Sequence, residues 1–462
     1  MHEYRLLYKK IFNVLCCVTL LVLTSSCNKP YDKRISEIPE DLNVLLIIVD
    51  TLPERALSAY GAPVKTPNID KFAAGGARFA HTYAAAPWTK PSIATILSGV
   101  MPRTHGVKRM NSKFPDSIPM VAEIMKASGR QTAAVISHTI LTPKHGFSRG
   151  FDAFKNVNTS PDPHQAIVGT EVTDTAIGWL KKRNSSQNFF LFLHYFDPHY
   201  NYIHHAQFDQ TSWYRGKLTS GMDVRELRSY ANELNPNDIK YVRGLFTEEV
   251  LFTDKELGRL FEYLEQAGLS KNTLIVFVAD HGEELMERGW FGHTRTLYNE
   301  LINIPLIISL PDIIKPQVIN NPVSQVDIFP TLLDFIRKKA TSEIEGLSLI
   351  PLLFGNAQKR PDQNIFSEVD FVSSTHNKDA NITAVIKGRY KLIHDKMKET
   401  FELFDISVDP LEKKDISKQN PEQLKNMLDL ILQYERTTPQ TLQKNVIITP
   451  EEVKQLQSLG YM

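Results

Sequence analysis

Continuous apolar runs of strand length constrain the fold more than any other feature of this sequence. Five of them contain no charged residue, and they occupy positions 43–49, 132–136, 189–193, 274–279 and 304–310. Such runs are typical of parallel strands that are buried on both faces of a sheet. Helical stretches such as 118–128, 165–183 and 240–267 lie between them. This alternation predicts an α/β fold with a doubly wound, mostly parallel sheet.

Polar residues lie directly at the ends of four of these runs. They are Asp50, Ser137 with His138, His194, and Asp280 with His281. In open parallel sheets, ligands bind outside the carboxyl ends of the strands. The four strand ends therefore predict one functional site at a single edge of the sheet.

A second candidate feature is the segment TKPSIATILSG, which begins at Thr89. It predicts a helix over 91–98, with Pro91 in the first turn and Gly99 just past the end. Thr89 would then lie at the helix N-terminus, where free N–H groups and the helix dipole favour an anion. A threonine at this position can also be a simple helix cap.

Asp50, Thr89, Asp280 and His281 together suit one divalent metal ion, and oxygen and nitrogen ligands leave Mn, Zn, Mg and Ca open. A bound cation would lower the pKa of the Thr89 hydroxyl and make it a competent nucleophile. The alternative reading of Asp280 and His281 is a turn with a satisfied histidine.

The N-terminus predicts export. Basic residues precede an uncharged apolar run at 11–23, and small residues then lead to Cys27. This layout predicts a signal peptide over 1–27 that resembles a bacterial lipobox with Cys27 as the lipidated residue. An ordinary signal peptide and an uncleaved membrane anchor are the alternatives. We therefore expect an exported cell-envelope protein, membrane-anchored through a lipid, in the periplasm or at the cell surface.

The amino-acid composition excludes several other kinds of functional site. The three cysteines all lie in the first 27 residues, so the folded body has no disulfide, thiolate zinc site or cysteine nucleophile. The 53 Lys and Arg against 52 Asp and Glu give a net charge of +1, which offers no general attraction for nucleic acid. An anionic substrate must be bound by local groups.

The chain divides by composition into a tether at 28–41, a catalytic domain at 42–345 and a smaller C-terminal α+β subdomain at 346–462, where segments become shorter and more polar. Within the last part, 384–394 predicts a strand or hairpin. Thr449 and Glu452 predict a capping box at the start of a final helix.

The chain resembles the sulfatase family of the alkaline phosphatase superfamily over nearly all of its mature length. The segments that carry the resemblance are VDTLPERALSAYG, the stretch from TPNIDKF to RTHGV, GFSRGFDAF, FLFLHYFDPHYNY, VADHGEELMERGWFGHTRTLYNELINIPLII, VSQVDIFPTLLDFI, GLSLIPLL and LQSLGYM. The resemblance implies the fold predicted above and a hydrolase that acts on anionic esters.

The sequence departs from the sulfatase pattern within the site. Thr89 takes the position of the Cys or Ser that sulfatases oxidise to formylglycine, and Ile93 replaces the arginine of that signature. The paired N-terminal aspartates are reduced to Asp50. Ser137 and His138 lie where the first sulfatase lysine is expected, and His293 takes the position of the second lysine. The remaining set is similar to that of superfamily members with one metal and a threonine nucleophile.

The resemblance implies roles for the remaining candidates. His199 matches a family histidine that contacts the transferred group or the leaving oxygen, and His293 would bind a non-bridging oxygen or act as an acid. We assign His138, His194 and Lys90 to substrate binding, with Thr89, His199 and His293 as catalytic residues. We expect His204 and His205, in a polar stretch, to be surface residues.

The leading hypothesis is a metal-dependent hydrolase of phosphoesters or phosphonates that forms a covalent phospho-threonine at Thr89. The alternatives are a sulfatase that acts without formylglycine, a transferase of a phospho group to a glycan or lipid, and an inactive binding lipoprotein. The expected substrate is a small anionic ester, a glycan or a lipid. The oligomeric state stays open.

Overall fold

The computed structural model describes residues 35–158, 168–371, 379–441 and 444–458. Its strands, in chain order, are β1 Asn43–Val49, β2 Ala77–Tyr83, β3 Ser112–Lys113, β4 Gln131–Ile136, β5 Ala153–Asn156, β6 Phe189–Tyr195, β7 Thr273–Ala279, β8 Glu284–Leu285, β9 Phe291–Gly292, β10 Asn303–Ser309, β11 Gln317–Ile319, β12 Val323–Ser324, β13 Ile365–Phe371, β14 Ala380–Lys387, β15 Tyr390–Asp395, β16 Thr400–Asp405 and β17 Lys444–Asn445. The α-helices are Pro67–Ala74, Thr89–Ser98, Pro102–His105, Val121–Ala127, Gly169–Lys182, Val224–Ser229, Pro236–Gln266, Asn299–Ile302, Ile328–Phe335, Ile350–Leu353, Pro421–Thr437 and Pro450–Ser458.

A nine-stranded sheet forms the body of the protein. Its strand order is β11-β2-β10-β7-β1-β6-β4-β5, with β12 beside β2. Strands β7, β1, β6, β4 and β5 run parallel, whereas β10 is antiparallel to both β7 and β2. Each of the five apolar runs forms a strand of this sheet, and the predicted α/β fold with a mostly parallel sheet is confirmed.

The register of the central strands aligns their carboxyl ends. Val49 of β1 pairs with Tyr195 of β6 on one side and with Ala279 of β7 on the other. On the far side of β6, Val135 of β4 pairs with Leu193. The polar residues at these four strand ends therefore meet at one edge of the sheet.

A four-stranded antiparallel sheet, in the order β13-β14-β15-β16, follows in the C-terminal part. The segment predicted as a strand or hairpin is the β14–β15 hairpin. The helix Pro421–Thr437 packs on this sheet through Met427 and Ile431. A buried ion pair, Lys391 Nζ to Glu412 Oε1 at 2.6 Å, joins the sheet to the body, because Glu412 Oε2 also accepts from the Asn299 N–H.

The final helix begins with the predicted capping box. The Thr449 N–H donates to Glu452 Oε2 at 2.7 Å, and the Glu452 N–H donates to Thr449 Oγ1 at 3.2 Å. None of the helices in the described ranges is long and apolar enough to cross a membrane. The predicted signal peptide, including Cys27, and the first half of the tether lie outside the described residues.

Gly99 ends the helix Thr89–Ser98. It has a φ of 72°, and its N–H donates to the Thr95 carbonyl. A Cβ added at this position would lie 2.8 Å from Phe329 Cδ1. The position therefore requires glycine for two reasons, the left-handed backbone and the close approach of Phe329.

We predict that Gly99→Ala lowers the free energy of unfolding by about 2 to 5 kcal/mol, since left-handed strain and overpacking add. Gly129→Ala is the matched control: Gly129 has a φ of 86° and no heavy atom within 4 Å of an added Cβ, so it should lose about 1 to 2 kcal/mol. Denaturant unfolding measures both, and equal losses would contradict the packing argument.

Candidate active site

Asp50 follows β1 at the centre of the sheet and is fully buried. Neither of its carboxylate oxygens has a hydrogen-bond partner among the described residues. Burial, followed by the neighbouring Asp280 and Glu283 carboxylates, raises the pKa of Asp50 well above its ordinary value. A charged Asp50 in this position needs a cation nearby.

Asp280 and His281 follow β7 beside it. Asp280 Oδ1 accepts from the Thr51 N–H at 3.2 Å and from the His281 N–H at 2.8 Å, while Oδ2 has no hydrogen-bond partner in the described part of the chain. His281 Nδ1–H donates to the Gly282 carbonyl at 2.8 Å. This hydrogen bond assigns the proton of the neutral ring to Nδ1 and leaves a lone pair on Nε2.

Thr89 is the first residue of the helix Thr89–Ser98, so the helix begins two residues before the predicted start. Its side chain is fully buried. Thr89 Oγ1 lies 3.3 Å from His281 Nε2. The structure thus brings together all four residues that the sequence assigned to a metal ion.

The spacing of these atoms fits a divalent cation. His281 Nε2 lies 3.4 Å from Asp50 Oδ1 and 3.5 Å from Asp280 Oδ2. Ligand atoms on a tetrahedral zinc ion, with bonds of about 2.0–2.1 Å, are separated by about 3.3–3.4 Å. The unpartnered carboxylate oxygens and the Nε2 lone pair are the donors that such an ion requires.

His138 and His194 approach the other oxygen of Asp50. His194 Nε2 lies 3.5 Å from Asp50 Oδ2, and His138 Nε2 lies 3.8 Å from it. Both rings are fully buried. Burial, and next the neighbouring His281, lowers the pKa of His194 to about 3, so this ring is neutral at physiological pH.

His199 and His293 complete the group. The His199 ring lies 5.0 Å from the His293 ring, which lies 4.5 Å from His281. His293 Nδ1 faces Glu283 Oε1 at 3.2 Å, and its Nε2 lies 3.4 Å from the Tyr200 hydroxyl. Both predicted catalytic histidines are therefore next to the candidate metal ligands.

The structure does not bring Lys90 to this group. Its side chain is fully buried, and its ammonium donates to the Met110 carbonyl at 2.5 Å. Because Lys90 follows Thr89 in a helix, its side chain points about 100° away around the helix axis. The Lys90 ammonium therefore lies away from the other candidate residues, which conflicts with the predicted role of Lys90 in substrate binding.

The surface assignment of His204 and His205 holds for only one of them. His205 is buried, and its Nε2 pairs with Glu249 at 2.8 Å, whereas the partly exposed His204 pairs with the buried Glu248 at 2.7 Å. These pairs attach the segment after His199 to the helix Pro236–Gln266. The sequence around His204 and His205 could not indicate these ion pairs, because Glu248 and Glu249 lie more than 40 residues further along the chain.

Gln325 is the main site residue that the sequence reasoning missed. Its Oε1 accepts from the Ala85 N–H at 2.9 Å, and its Nε2 donates to the carbonyls of Ala279 and Asp280 at 2.9 and 2.5 Å. It thus ties the loop before Thr89 to the end of β7. A polar residue after a short strand carries no sequence signal for such a link.

The C-terminal sheet holds the same loop from the other side. The Glu368 N–H donates to the Ala85 carbonyl at 2.9 Å, and Ser367 Oγ donates to the Ala84 carbonyl at 2.6 Å. Trp88 packs edge-on against Phe371, with ring centroids 5.6 Å apart. Strand β13 is therefore part of the scaffold that positions Thr89.

Two arginines and two aromatic rings lie beside the site. The Arg228 guanidinium lies over Tyr200 and Trp290, 5.2 and 5.1 Å from the ring centroids, and that of Arg295 lies 4.2 Å from the Trp290 ring. Burial, and then the charge of Arg228, lowers the pKa of Arg295 to about 10. The two positive charges repel each other, and a bound anion would relieve that repulsion.

Comparison with known proteins identifies the class. Residues 42–337 match the Sulfatase family, and residues 286–437 match the family described as N-sulphoglucosamine sulphohydrolase, C-terminal. The chain belongs to the sulfatase family and is a hydrolase of the sulfatase superfamily.

Individual relatives agree with this placement. An N-acetylglucosamine-6-O-sulfatase of Bacteroides thetaiotaomicron is 25% identical over 81% of this chain and 82% of the relative. A phosphonate monoester hydrolase of Agrobacterium radiobacter has the same fold, with a TM-score of 0.73 and 19% identity over 89% of this chain and 98% of that one. So does a protein solved in complex with its substrate D-glucosamine-2-N,6-O-disulfate, with a TM-score of 0.72 and 22% identity over 87% and 99%.

We predict that Gln325→Met lowers the free energy of unfolding by about 2 to 4 kcal/mol, because it leaves a buried N–H and two carbonyls without partners. Gln266→Met is the control, since Gln266 is exposed and its side-chain amide donates to the exposed Glu262 on the same helix; it should change stability by less than about 0.5 kcal/mol. Urea unfolding measures both. Indistinguishable midpoints would contradict the role of Gln325.

Proposed function

We propose that the protein is a metal-dependent hydrolase that cleaves phosphoesters or phosphonate esters with Thr89 as the nucleophile. The observation that carries this proposal is the Thr89 hydroxyl, 3.3 Å from His281 Nε2, beside the donor group Asp50, Asp280 and His281. A divalent cation on these residues would lower the pKa of the hydroxyl and stabilise charge on the transferred group.

The chain's own groups account for binding and proton transfer. The first N–H groups of the helix Thr89–Ser98 attract the anionic group to the Thr89 oxygen. The deprotonated Thr89 oxygen attacks phosphorus, and the bond from phosphorus to the leaving oxygen breaks as His293 donates a proton to that oxygen. Water then attacks the phospho-threonine, His293 accepts its proton, and the Thr89 oxygen is released.

The identity of residues 89 and 93 supports a phosphorus ester over a sulfate ester. The β-carbon of Thr89 carries a methyl group, so oxidation cannot give the formylglycine aldehyde. The arginine expected at position 93 is Ile93, which is fully buried in the core. Phosphoryl transfer depends mainly on positioning the substrate and on stabilising its charge. The remaining site residues can supply both.

A sulfatase that uses Thr89 directly is the second candidate. The family match and the sulfatases among its relatives favour it. The two candidates share the nucleophile and the metal ligands, and they differ in the atom that is attacked. Export and a lipid anchor at Cys27 stay predictions of the N-terminal sequence.

We predict that the protein, supplied with Zn²⁺ or Mn²⁺, hydrolyses p-nitrophenyl phosphate, a phosphodiester or a phenylphosphonate ester faster than p-nitrophenyl sulfate. Thr89→Ala should lower kcat by at least about 10³-fold, because it removes the attacking atom. Thr95→Ala on the same helix should keep wild-type turnover, because Thr95 Oγ1 lies against His105, 3.2 Å from its Nε2.

The rates on these four esters distinguish the candidate functions. Full turnover by Thr89→Ala would contradict the proposed nucleophile. Preference for the sulfate ester would establish the second candidate. No turnover of any of the four esters would favour a transferase or a binding protein.

The residues beside the site support a glycan leaving group. The Arg228 guanidinium lies over the rings of Tyr200 and Trp290 and that of Arg295 lies over Trp290, while the Tyr200 hydroxyl lies 3.4 Å from His293 Nε2. Aromatic rings and positive charge are groups that bind a charged sugar. Among the residues that the structure describes, Arg295 has no hydrogen-bond or ion-pair partner, and its guanidinium lies over the Trp290 ring. This arrangement fits a sugar that carries a second anionic group next to the scissile ester.

We predict that Arg295→Gln raises KM about tenfold for a glucosamine 6-ester that carries an N-sulfate group, because a charge-assisted hydrogen bond is lost. KM for the same ester without the N-sulfate should not change. Arg225→Gln, an exposed arginine paired with Asp223, is the control. An equal effect of Arg295→Gln on both esters would refute a second anionic subsite.

A further inference from the structure

His293 has two roles in the proposed mechanism, and a buried glutamate contacts its ring. His293 Nδ1 lies 3.2 Å from Glu283 Oε1, and both side chains are fully buried. Glu283 takes no part in the steps proposed above. A carboxylate that pairs with a histidine next to a reacting group can hold the ring in one orientation and one tautomer.

The register of a short hairpin brings these two residues together. Strands β8 and β9 are antiparallel, and Glu284 pairs with Gly292. Glu283 comes directly before β8 and His293 directly after β9, so the same register places them opposite each other. Arg55 Nη2 donates to the Glu283 carbonyl at 2.8 Å, which fixes the backbone that carries the acid. The pairing of Glu283 with His293 is thus a consequence of strand register.

Two neighbouring rings fix the plane of the His293 ring. The Tyr200 ring is stacked on it, with centroids 5.0 Å apart and 18° between the planes, and its hydroxyl lies 3.4 Å from His293 Nε2. The His199 ring stands edge-on at a centroid distance of 5.0 Å. Within this plane, a hydrogen bond to Glu283 determines which ring nitrogen carries the proton and in which direction Nε2 points.

We propose that Glu283 is a positioning residue for His293. Its carboxylate accepts the Nδ1–H of the ring and thereby directs Nε2 towards the oxygen atoms with which His293 exchanges a proton. The catalytic consequence rests on the proposed function, whereas the position of the ring proton does not.

The proton balance of the two steps follows from this hydrogen bond. Before the first step His293 carries a proton on each nitrogen, and Glu283 stabilises the positive ring. The Nε2 proton passes to the leaving oxygen as the bond from that oxygen to phosphorus breaks, which leaves a neutral ring with its proton on Nδ1. In the second step Nε2 accepts a proton from the attacking water, and the positive ring forms again.

Nitrogen NMR tests the position of the ring proton without any substrate. The full chain, labelled with nitrogen-15 in its histidine rings and supplied with Zn²⁺, is compared with His293→Gln, which identifies the His293 signals by their loss. In the neutral ring of the wild type we expect the proton on Nδ1. Glu283→Met removes the acceptor and should make the Nε2–H form the major one. Glu283→Gln keeps an acceptor oxygen and should retain the Nδ1–H form.

The leaving group provides a second test, with the isosteric variant Glu283→Gln. Phenolate is a more basic leaving group than p-nitrophenolate and therefore depends more on a proton donor. Glu283→Gln should lower kcat about 10²-fold on phenyl phosphate and less than about fivefold on p-nitrophenyl phosphate, because the variant cannot stabilise the positive ring. A purely structural role would lower kcat equally on both esters. The corresponding sulfate esters replace the phosphates if the wild type prefers sulfate.

Glu284→Gln is the matched control. Glu284 is also buried, and its Oε1 accepts from the Arg288 and Trp290 N–H groups of the same hairpin. This variant should keep the wild-type ratio of the two rates and the Nδ1–H form of His293.

The proposal is overturned if His293 of the wild type carries its proton on Nε2, if Glu283→Met retains the Nδ1–H form, or if Glu283→Gln slows both esters equally. The wild-type ring and Glu283→Gln decide the question if Glu283→Met does not fold. The expected ring protons without turnover of any ester would refute the proposed function alone.

Discussion

The burial of the Asp50 carboxylate is the constraint on which the rest of the site depends. A carboxylate at the centre of a nine-stranded sheet, with both oxygens lacking hydrogen-bond partners in the described chain, cannot carry its charge without a cation. The parallel strands on both sides of β1 supply imidazoles and a second carboxylate at the same height. The sheet therefore determines the chemistry of the site, because strand register fixes which donors meet.

The strands and strand-end residues could be predicted because they depend on local sequence. A continuous apolar run is typical of a strand that is buried on both faces of a sheet. A polar residue that follows such a run lies at the carboxyl end of the strand, where ligands bind. Asp50, His138, His194, Asp280 and His281 were found in this way. The helix with Thr89 was predicted from the same kind of evidence, namely Pro91 and Gly99.

The remaining site residues depend on contacts between distant segments, which local patterns do not encode. Gln325 reaches the loop before Thr89 only because β12 runs beside β2. The direction of the Lys90 side chain depends on how its helix is rotated against the core. His205 can pair with Glu249 only when the helix Pro236–Gln266 has packed against the segment that contains His205. The approach of His138 and His194 to the second oxygen of Asp50 likewise depends on side-chain geometry.

The contacts of β13 have a consequence for how the protein is made. The loop that precedes Thr89 receives hydrogen bonds from Ser367 and Glu368, which are synthesised almost 300 residues later. Contacts this remote in sequence are slow to form, and during synthesis they cannot form at all until the C-terminal sheet has emerged. The loop before Thr89 thus gains these contacts only in a nearly complete chain, so unfinished or truncated chains should lack an ordered candidate site even when most of the large sheet has folded.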